Sequence, residues 1–247
     1  MMRPGDCRSR AARYTGSDMP IPIKICGLTR VEDVLDAVQL DIQAIGLVFY
    51  PASPRYVDPT QAQRLMARIP PHIATVGLFV NATPAEVRDV LAVAPVDLLQ
   101  LHGDETPEQS HAIADLVKKP FLRALRVKPD TLGSDLLQYA SSYSAASPWF
   151  SAVLLDTYVD SFGGSGKVFD WSVIPKELAP RVVLSGGLTA LNVAGAVAQL
   201  RPGAVDVSSG VEQAKGIKDP VRMRAFVDAV RLTDINLLGP HHAFTFK

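Results

Sequence analysis

The stretch IKICGLTRVEDVLDAV, residues 23–38, contains the pattern that decides the fold. Its first residues form a short, mostly apolar run that ends at Cys26 and Gly27, as expected for a buried strand followed by a turn. From Val31 onward, apolar residues recur at i, i+3, i+4 and i+7, which is the spacing of one helix face. Thr29 and Glu32 have the spacing of a capping box, so the stretch predicts a strand, a turn and a helix in succession.

The same unit recurs along the chain, which contains eight candidate strands. Four of the predicted helices begin with a side-chain oxygen followed by proline, a combination that suits the N-cap and the first helical position. These starts are Asp58-Pro59, Thr83-Pro84, Thr106-Pro107 and Asp219-Pro220. The candidate strands span residues 23–27, 44–49, 74–80, 97–102, 121–127, 152–157, 181–186 and 204–209.

The strand runs are mostly apolar throughout, which is typical of a parallel sheet buried on both faces by crossover helices. Eight repeats of similar length favour an α/β fold in which the sheet closes into a single (β/α)8 TIM barrel. An open doubly wound sheet is the alternative. We expect the barrel to occupy residues 19–233, between a disordered N-terminal extension, 1–18, and a C-terminal tail, 234–247. A transit peptide is a second interpretation of the extension.

Composition narrows the function classes. Hydrophobic residues make up 47% of the chain, and 25 basic residues balance 25 acidic ones, so no nucleic acid or membrane partner is indicated. No apolar run approaches the roughly 18 residues that a membrane-spanning helix needs. Two cysteines are too few for a disulfide framework. We therefore expect a soluble cytoplasmic enzyme, monomeric or homodimeric, that acts on a small molecule.

In a TIM barrel the active site lies at the carboxyl ends of the strands. The sequences SGGL, 185–188, and SSG, 208–210, follow strands seven and eight, where small residues and free backbone N–H groups favour a phosphate site. Other polar or reactive side chains near strand ends are Cys26, Arg55, His102, Arg126 and Asp156. We expect these side chains to supply the reactive and charged groups of the active site.

Cys26 and Asp156 each have a simpler interpretation. A free cysteine is most often a small core residue, and an aspartate is often a helix cap. A closed apolar pocket, however, would favour the protonated form of Asp156 and suit it to act as an acid. Lys24 projects to the same side of its strand as Cys26, and a buried ammonium needs a partner. We therefore expect an ion pair between Lys24 and Asp206, whose strand neighbours the first once the barrel closes.

A long segment, YVDSFGGSGKVFDW, follows the sixth strand at residues 158–171. Its GGSGK sequence lacks the first glycine and the final Ser or Thr of a P-loop, so a nucleoside triphosphate site is not indicated. A glycine-rich loop of this length at a barrel mouth is instead typical of a lid that excludes water.

An ordered set of motifs resembles the phosphoribosylanthranilate isomerase family of tryptophan synthesis from Ile23 to about Val230. The chain departs from the family in its N-terminal extension, its tail, and Ser165, where a threonine is frequent. The motifs are KICGLTR (24–30), GLVFYPASPRYV (46–57), VGLFVN (76–81), LQLHGDE (99–105), LLDT (154–157), GGSGKVFDW (163–171), LSGGL (184–188) and DVSSGVE (206–212).

The resemblance implies an Amadori rearrangement of N-(5-phosphoribosyl)anthranilate to 1-(o-carboxyphenylamino)-1-deoxyribulose 5-phosphate. Asp156 would be the general acid and Cys26 the general base, and no metal or organic cofactor is implied. Arg55 would bind the substrate carboxylate, and His102 would bind substrate or shape the pocket. The remaining implied residues are Gly187, Ser208, Ser209 and Gly210 for phosphate and Gly164, Ser165 and Gly166 for the lid.

Two other functions stay open from the sequence alone. A histidine-pathway aminoaldose isomerase would use similar chemistry, but that family uses a pair of aspartates and would have one of them where this chain has Cys26. A barrel that keeps its phosphate site without catalysis is the second alternative, and only activity distinguishes it from an enzyme.

Overall fold

Eight parallel strands close into a barrel in which each strand pairs with the next in sequence and β8 pairs with β1. The structure is a computed structural model and describes residues 20–157, 169–236 and 244–246. The barrel prediction is confirmed, and the open-sheet alternative is wrong because β1 and β8 are hydrogen-bonded neighbours. The strands are β1 Ile23–Cys26, β2 Ala44–Val48, β3 Ala74–Phe79, β4 Leu98–Leu101, β5 Phe121–Val127, β6 Phe150–Thr157, β7 Val182–Leu184 and β8 Ala204–Val207.

Helices cover the outside of the barrel, with one departure from the predicted repeat. Within its described part, the crossover from β6 to β7 has only two 3₁₀ turns, Trp171–Val173 and Ala179–Arg181. After β8, a 3₁₀ turn at Ser209–Val211 leads into a short antiparallel hairpin, β9 Glu212–Ala214 and β10 Ile217–Lys218. The α-helices are α1 Val31–Val38, α2 Pro59–Met66, α3 Pro84–Val93, α4 Pro107–Val117, α5 Gly133–Ala146, α6 Val193–Leu200 and α7 Pro220–Asn236.

The proline-led helix starts are confirmed. Thr83 and Thr106 form complete capping boxes, and the side chains of Asp58 and Asp219 accept backbone N–H bonds in the first turns of α2 and α7. The capping box predicted at Thr29 is wrong, because α1 begins after Arg30 and its N-cap makes no side-chain bond. The Thr29 hydroxyl instead donates to the carbonyl of Gly216, 2.6 Å away. Thr29 therefore connects the first βα turn to the β9–β10 hairpin.

None of these helices, within the described residues, has both the length and the apolar character that crossing a bilayer requires.

The barrel interior has small side chains at its floor, where the strands begin. Ala44, Ala74, Ala152 and Ala204 all belong to one apolar cluster there, and Phe246, which is 3% exposed, packs in the same cluster. The backbone N–H of Phe244 donates to the carbonyl of Gly203 at 2.8 Å, which holds the segment under the barrel. Although residues 234–247 were predicted as a tail outside the barrel, α7 continues to Asn236 and residues 244–246 pack against the floor. The predicted extension 1–18 lies outside the described residues.

We predict that Phe246→Ala lowers the free energy of unfolding by about 3 kcal/mol, since truncating a buried phenylalanine removes apolar contacts and leaves a cavity. Urea unfolding followed by circular dichroism measures this change. Phe244→Ala is the matched control and should cost less, because its ring is only partly buried. An unfolding midpoint of Phe246→Ala equal to that of the wild type would show that the ring does not stabilise the floor.

Candidate active site

Cys26 ends β1 inside the barrel, directly above a buried ion pair. Strand alternation places Lys24 on the same side, and its Nζ lies 2.8 Å from Oδ1 of Asp206 on β8, at adjacent register positions. The predicted ion pair is therefore confirmed. The hydroxyl of Ser185 donates to the other carboxylate oxygen of Asp206 at 3.1 Å. This network fixes the ammonium of Lys24 beneath the thiol.

Burial raises the pKa of the Cys26 thiol, and the nearby Lys24 ammonium opposes that rise by charge and by a hydrogen bond. The pKa of Lys24 itself is raised, because Asp206 and Cys26 outweigh the effect of burial, so the ammonium keeps its proton. Gly46 on β2 makes room for both groups, since a Cβ there would lie 2.6 Å from the Cys26 sulfur and 3.1 Å from Lys24 Nζ. A thiol next to a fixed cation can become a thiolate base.

Asp156 lies at the carboxyl end of β6, where its carboxylate is partly exposed to the barrel mouth. Its Oδ1 accepts the backbone N–H of Thr157 at 2.8 Å, and its Oδ2 lies 3.3 Å from Nε2 of His102. Gly186 passes so close that a Cβ there would lie 2.3 Å from the Thr157 nitrogen and 2.7 Å from Asp156 Oδ1. His102 therefore contacts the predicted acid, a relation that the sequence did not indicate.

Arg55 is buried at the mouth and makes a two-bond ion pair with Glu212. Its Nε and Nη2 lie 2.7 and 2.8 Å from the two carboxylate oxygens, and the Lys218 ammonium reaches Glu212 at 2.9 Å. Burial raises the pKa of Glu212, but these two cations lower it further, so the carboxylate stays charged. Sequence reasoning missed Glu212 and Lys218, and the only signal was two charges in the short segment after strand eight.

The turns predicted to bind phosphate lie next to each other after β7 and β8. Gly186 and Gly187 have φ angles of +82° and +66°, and within the described residues the N–H of Gly187 has no protein acceptor. Gly210 approaches the first turn so closely that a Cβ would overlap the Leu188 carbonyl. Lys218 Nζ donates to the carbonyl of Ser208 at 3.0 Å. Small residues thus let two backbone turns meet at one point, as an anion site requires.

The site residues predicted from sequence converge at one end of the barrel, apart from the lid. Gly164, Ser165 and Gly166 lie outside the described residues. Across residues 20–157, 169–236 and 244–246, no group of three or more His, Cys, Asp and Glu side chains is arranged to hold a metal ion.

A sequence profile of the family described as N-(5'phosphoribosyl)anthranilate (PRA) isomerase matches residues 23–229. A relative from Herminiimonas arsenicoxydans, an N-(5'-phosphoribosyl)anthranilate isomerase, is 60% identical over 215 residues, which cover 87% of this chain and 95% of the relative.

Solved structures agree with these sequence matches. The phosphoribosyl anthranilate isomerase of Thermotoga maritima superposes with a TM-score of 0.75 at 38% identity, covering 85% of this chain and 98% of that one. Another solved structure of such an isomerase, in complex with reduced 1-(o-carboxyphenylamino)-1-deoxyribulose 5-phosphate, superposes with a TM-score of 0.71 at 36% identity over 85% of this chain and 98% of that one. The chain therefore belongs to the phosphoribosylanthranilate isomerase family.

Proposed function

We propose that this barrel isomerises N-(5'-phosphoribosyl)anthranilate, an aminoaldose, to the corresponding aminoketose, with Asp156 as general acid and Cys26 as general base. The arrangement that carries the proposal is one mouth with a thiol above the Lys24 ammonium and a carboxyl group beside His102. An acid and a base held in different environments are what a proton-transfer isomerisation needs. The family membership gives the substrate class.

The first step opens the furanose ring. Asp156 donates its proton to the ring oxygen, the bond between that oxygen and C1 breaks, and the anthranilate nitrogen supplies an electron pair to form an iminium ion. The position of Asp156 supports this role because its carboxylate is fixed from two sides, by the Thr157 N–H and by His102, while it stays partly open to the mouth. A fixed carboxyl group loses little time in unproductive orientations.

The second step moves a proton from carbon. The Cys26 thiolate takes the C2 proton, the C–H electron pair forms a double bond between C2 and C1, and the iminium nitrogen becomes neutral. The resulting enolamine tautomerises to the ketone, with loss of the C2 hydroxyl proton and protonation of C1. Lys24 supports this step, since its ammonium stabilises the thiolate in a place where burial disfavours charge.

The two ends of the substrate have separate binding groups. We propose that the phosphate lies on the turns of Gly187, Ser208, Ser209 and Gly210. Arg55 would bind the anthranilate carboxylate. Glu212 occupies the Nε–Nη2 edge of its guanidinium, which leaves the Nη1 side for a second carboxylate. Glu212 thereby orients the cation for the substrate.

We predict that the purified protein removes the fluorescence of freshly generated phosphoribosylanthranilate, and that Cys26→Ala and Asp156→Asn each lower kcat by about 10²-fold or more, because each loses a proton-transfer group. Stopped-flow fluorescence measures both. Cys7→Ala is the matched cysteine control and should keep wild-type kcat. Absence of turnover by the wild type would contradict the function. Full kcat in both active-site variants would leave the function intact and refute the roles.

We predict that Gly186→Ala lowers kcat by about 10²-fold, because a misplacement near 1 Å in a catalytic group can cost that much. A Cβ at this position would be strained at φ +82° and would push against the backbone of Thr157 and the carboxylate of Asp156. The matched control is Gly195→Ala in α6, where a Cβ meets no atom within 4 Å. The control should keep wild-type kcat. Equal kcat in the two variants would show that Gly186 does not position Asp156.

We predict that kcat rises with pH as the Cys26 thiol ionises, since burial raises its pKa and only the thiolate accepts the proton. The double variant Lys24→Met/Asp206→Leu removes both charges, which avoids an unpaired buried carboxylate. The pH at which kcat rises should move upward, because the charge and hydrogen bond of Lys24 lower the pKa of Cys26 by more than the charge of Asp206 raises it. Iodoacetamide alkylation of Cys26 against pH, in a Cys7→Ser background, measures the same shift directly. If kcat rose over the same pH range in the double variant as in the wild type, Lys24 would not stabilise the Cys26 thiolate.

A further inference from the structure

Gln100 is a buried amide inside the barrel that the proposed mechanism does not use. It is 1% exposed on β4, and its register neighbours on β3 and β5 are Leu78 and Leu122. Its Nε2 lies 2.9 Å from Nδ1 of His102, two residues later on the same side. Its Oε1 is fully buried and has no hydrogen-bond partner among the described residues. The amide therefore makes one hydrogen bond, and that bond is to the ring beside Asp156.

A buried amide with an unsatisfied group opposes folding, and an apolar side chain of similar size would fit these leucine neighbours better. The terminal torsion of a glutamine is soft and has two nearly equivalent orientations. In one orientation the amide nitrogen faces His102, and in the other the amide oxygen does. Both orientations place a polar atom of the amide against Nδ1. Gln100 therefore acts on the protonation of the two ring nitrogens of His102.

The two amide orientations correspond to different proton counts on the His102–Asp156 pair. With nitrogen inward, Nδ1 accepts a hydrogen bond, so the ring's single proton is on Nε2 and faces a charged Asp156 carboxylate 3.3 Å away. With oxygen inward, Nδ1 carries a proton. Nε2 then either accepts the proton of a neutral Asp156 or is itself protonated beside the charged carboxylate. The oxygen-inward orientation thus holds one more proton on the pair.

We propose that Gln100 is a positioning residue: its amide oxygen accepts from Nδ1–H of His102 and so keeps on the His102–Asp156 pair the proton that Asp156 delivers to substrate. This inference rests on the proposed role of Asp156 as general acid. Before the reaction the amide oxygen accepts from Nδ1–H, and one proton is shared by Nε2 and Oδ2. After that proton leaves for the furanose oxygen, the His102–Asp156 pair has one proton fewer. The amide then turns its nitrogen inward and donates to the unprotonated Nδ1. The proton returns to the pair from solvent before the next turnover.

Other charged and titratable groups face the His102–Asp156 pair, and the Gln100 variants keep all of them. The charge of Asp156 reaches the guanidinium of Arg55, and Arg126 is the register partner of Asp156 on β5. The described groups around the pair are Cys26 on β1, Arg55 after β2, Asp104 after β4, Arg126 on β5, and Asp206 on β8 with its partner Lys24. Among the described residues none of these groups hydrogen-bonds to the Gln100 amide, so substituting Gln100 changes a hydrogen-bond partner of His102 without removing one of theirs.

The test compares Gln100→Met, which removes both the donor and the acceptor, with Gln100→Glu, which keeps only an acceptor. In Gln100→Met, kcat should fall about tenfold or more with KM unchanged, because a hydrogen bond to a charged group changes an equilibrium by that factor. The alkaline limb of kcat should move to lower pH, because the bond lost from the pair with the extra proton, where the ring carries more positive charge, is stronger than the bond lost from the pair without it. Gln100→Glu should restore kcat and move this limb to higher pH. Leu99→Met, on the outer face of the same strand, controls for repacking and should leave both limbs unchanged.

A second readout does not need activity. Long-range ¹H–¹⁵N spectra of histidine-labelled protein report which ring nitrogen of His102 is protonated, with His102→Gln to assign the signal. In the wild type, Nδ1 of His102 should carry a proton at pH values below those at which kcat falls. In Gln100→Met, Nδ1 should be unprotonated over the same pH range. A protonated Nδ1 without turnover of phosphoribosylanthranilate would refute the proposed function and leave this inference standing. An unprotonated Nδ1 in an active wild type, or an unchanged alkaline limb in Gln100→Met, would overturn it.

Discussion

The buried ion pair between Lys24 and Asp206 connects the closure of the barrel to the chemistry at its mouth. The two residues are register partners on β1 and β8, so their contact lies at the seam where the first and last strands meet. Replacing a buried ion pair by apolar groups is often neutral or stabilising, so stability alone does not account for it. The pair has a second effect, which is to hold an ammonium directly under the Cys26 thiol. The seam of the fold is therefore also the support of the proposed base.

The two ends of the barrel interior have different physical roles. At the floor, alanines on four strands pack in one apolar cluster with Phe246. At the mouth, polar side chains of six strands and the hairpin after β8 lie close together, and most are held by charged or hydrogen-bonded partners. A change at the floor alters packing without touching a reacting group. This separation is what allows the strand ends at the mouth to carry chemistry while the other end secures the fold.

Periodicity in the sequence was enough to predict the strands, the closure of the barrel and the side on which Cys26, Lys24 and Asp206 lie, because strand alternation is strict. It did not predict the partners of Arg55 and His102. Glu212 and Lys218 belong to a hairpin outside the repeat, and its position depends on how the chain turns after β8. Phe246 is an isolated aromatic residue far from the strands that it packs against. Thr29 has the capping spacing, but a tertiary acceptor at Gly216 takes its hydroxyl instead.

The acid and the base of the proposed reaction need opposite surroundings within one small mouth. Cys26 must lose a proton, which a cation favours, whereas Asp156 must keep one, which a cation opposes. Lys24 lies below the thiol on β1, which β8 and β7 separate from β6 in the closed barrel, and its charge is balanced by Asp206. Arg55 is the cation that faces both groups, and its charge is balanced by Glu212, which two hydrogen bonds hold in place. Lys24 thus pairs with Asp206, and Arg55 shares Glu212 with Lys218. This pairing lets the Lys24 ammonium act on Cys26 at short range, while the side chain nearest to the Asp156 carboxylate is the imidazole of His102.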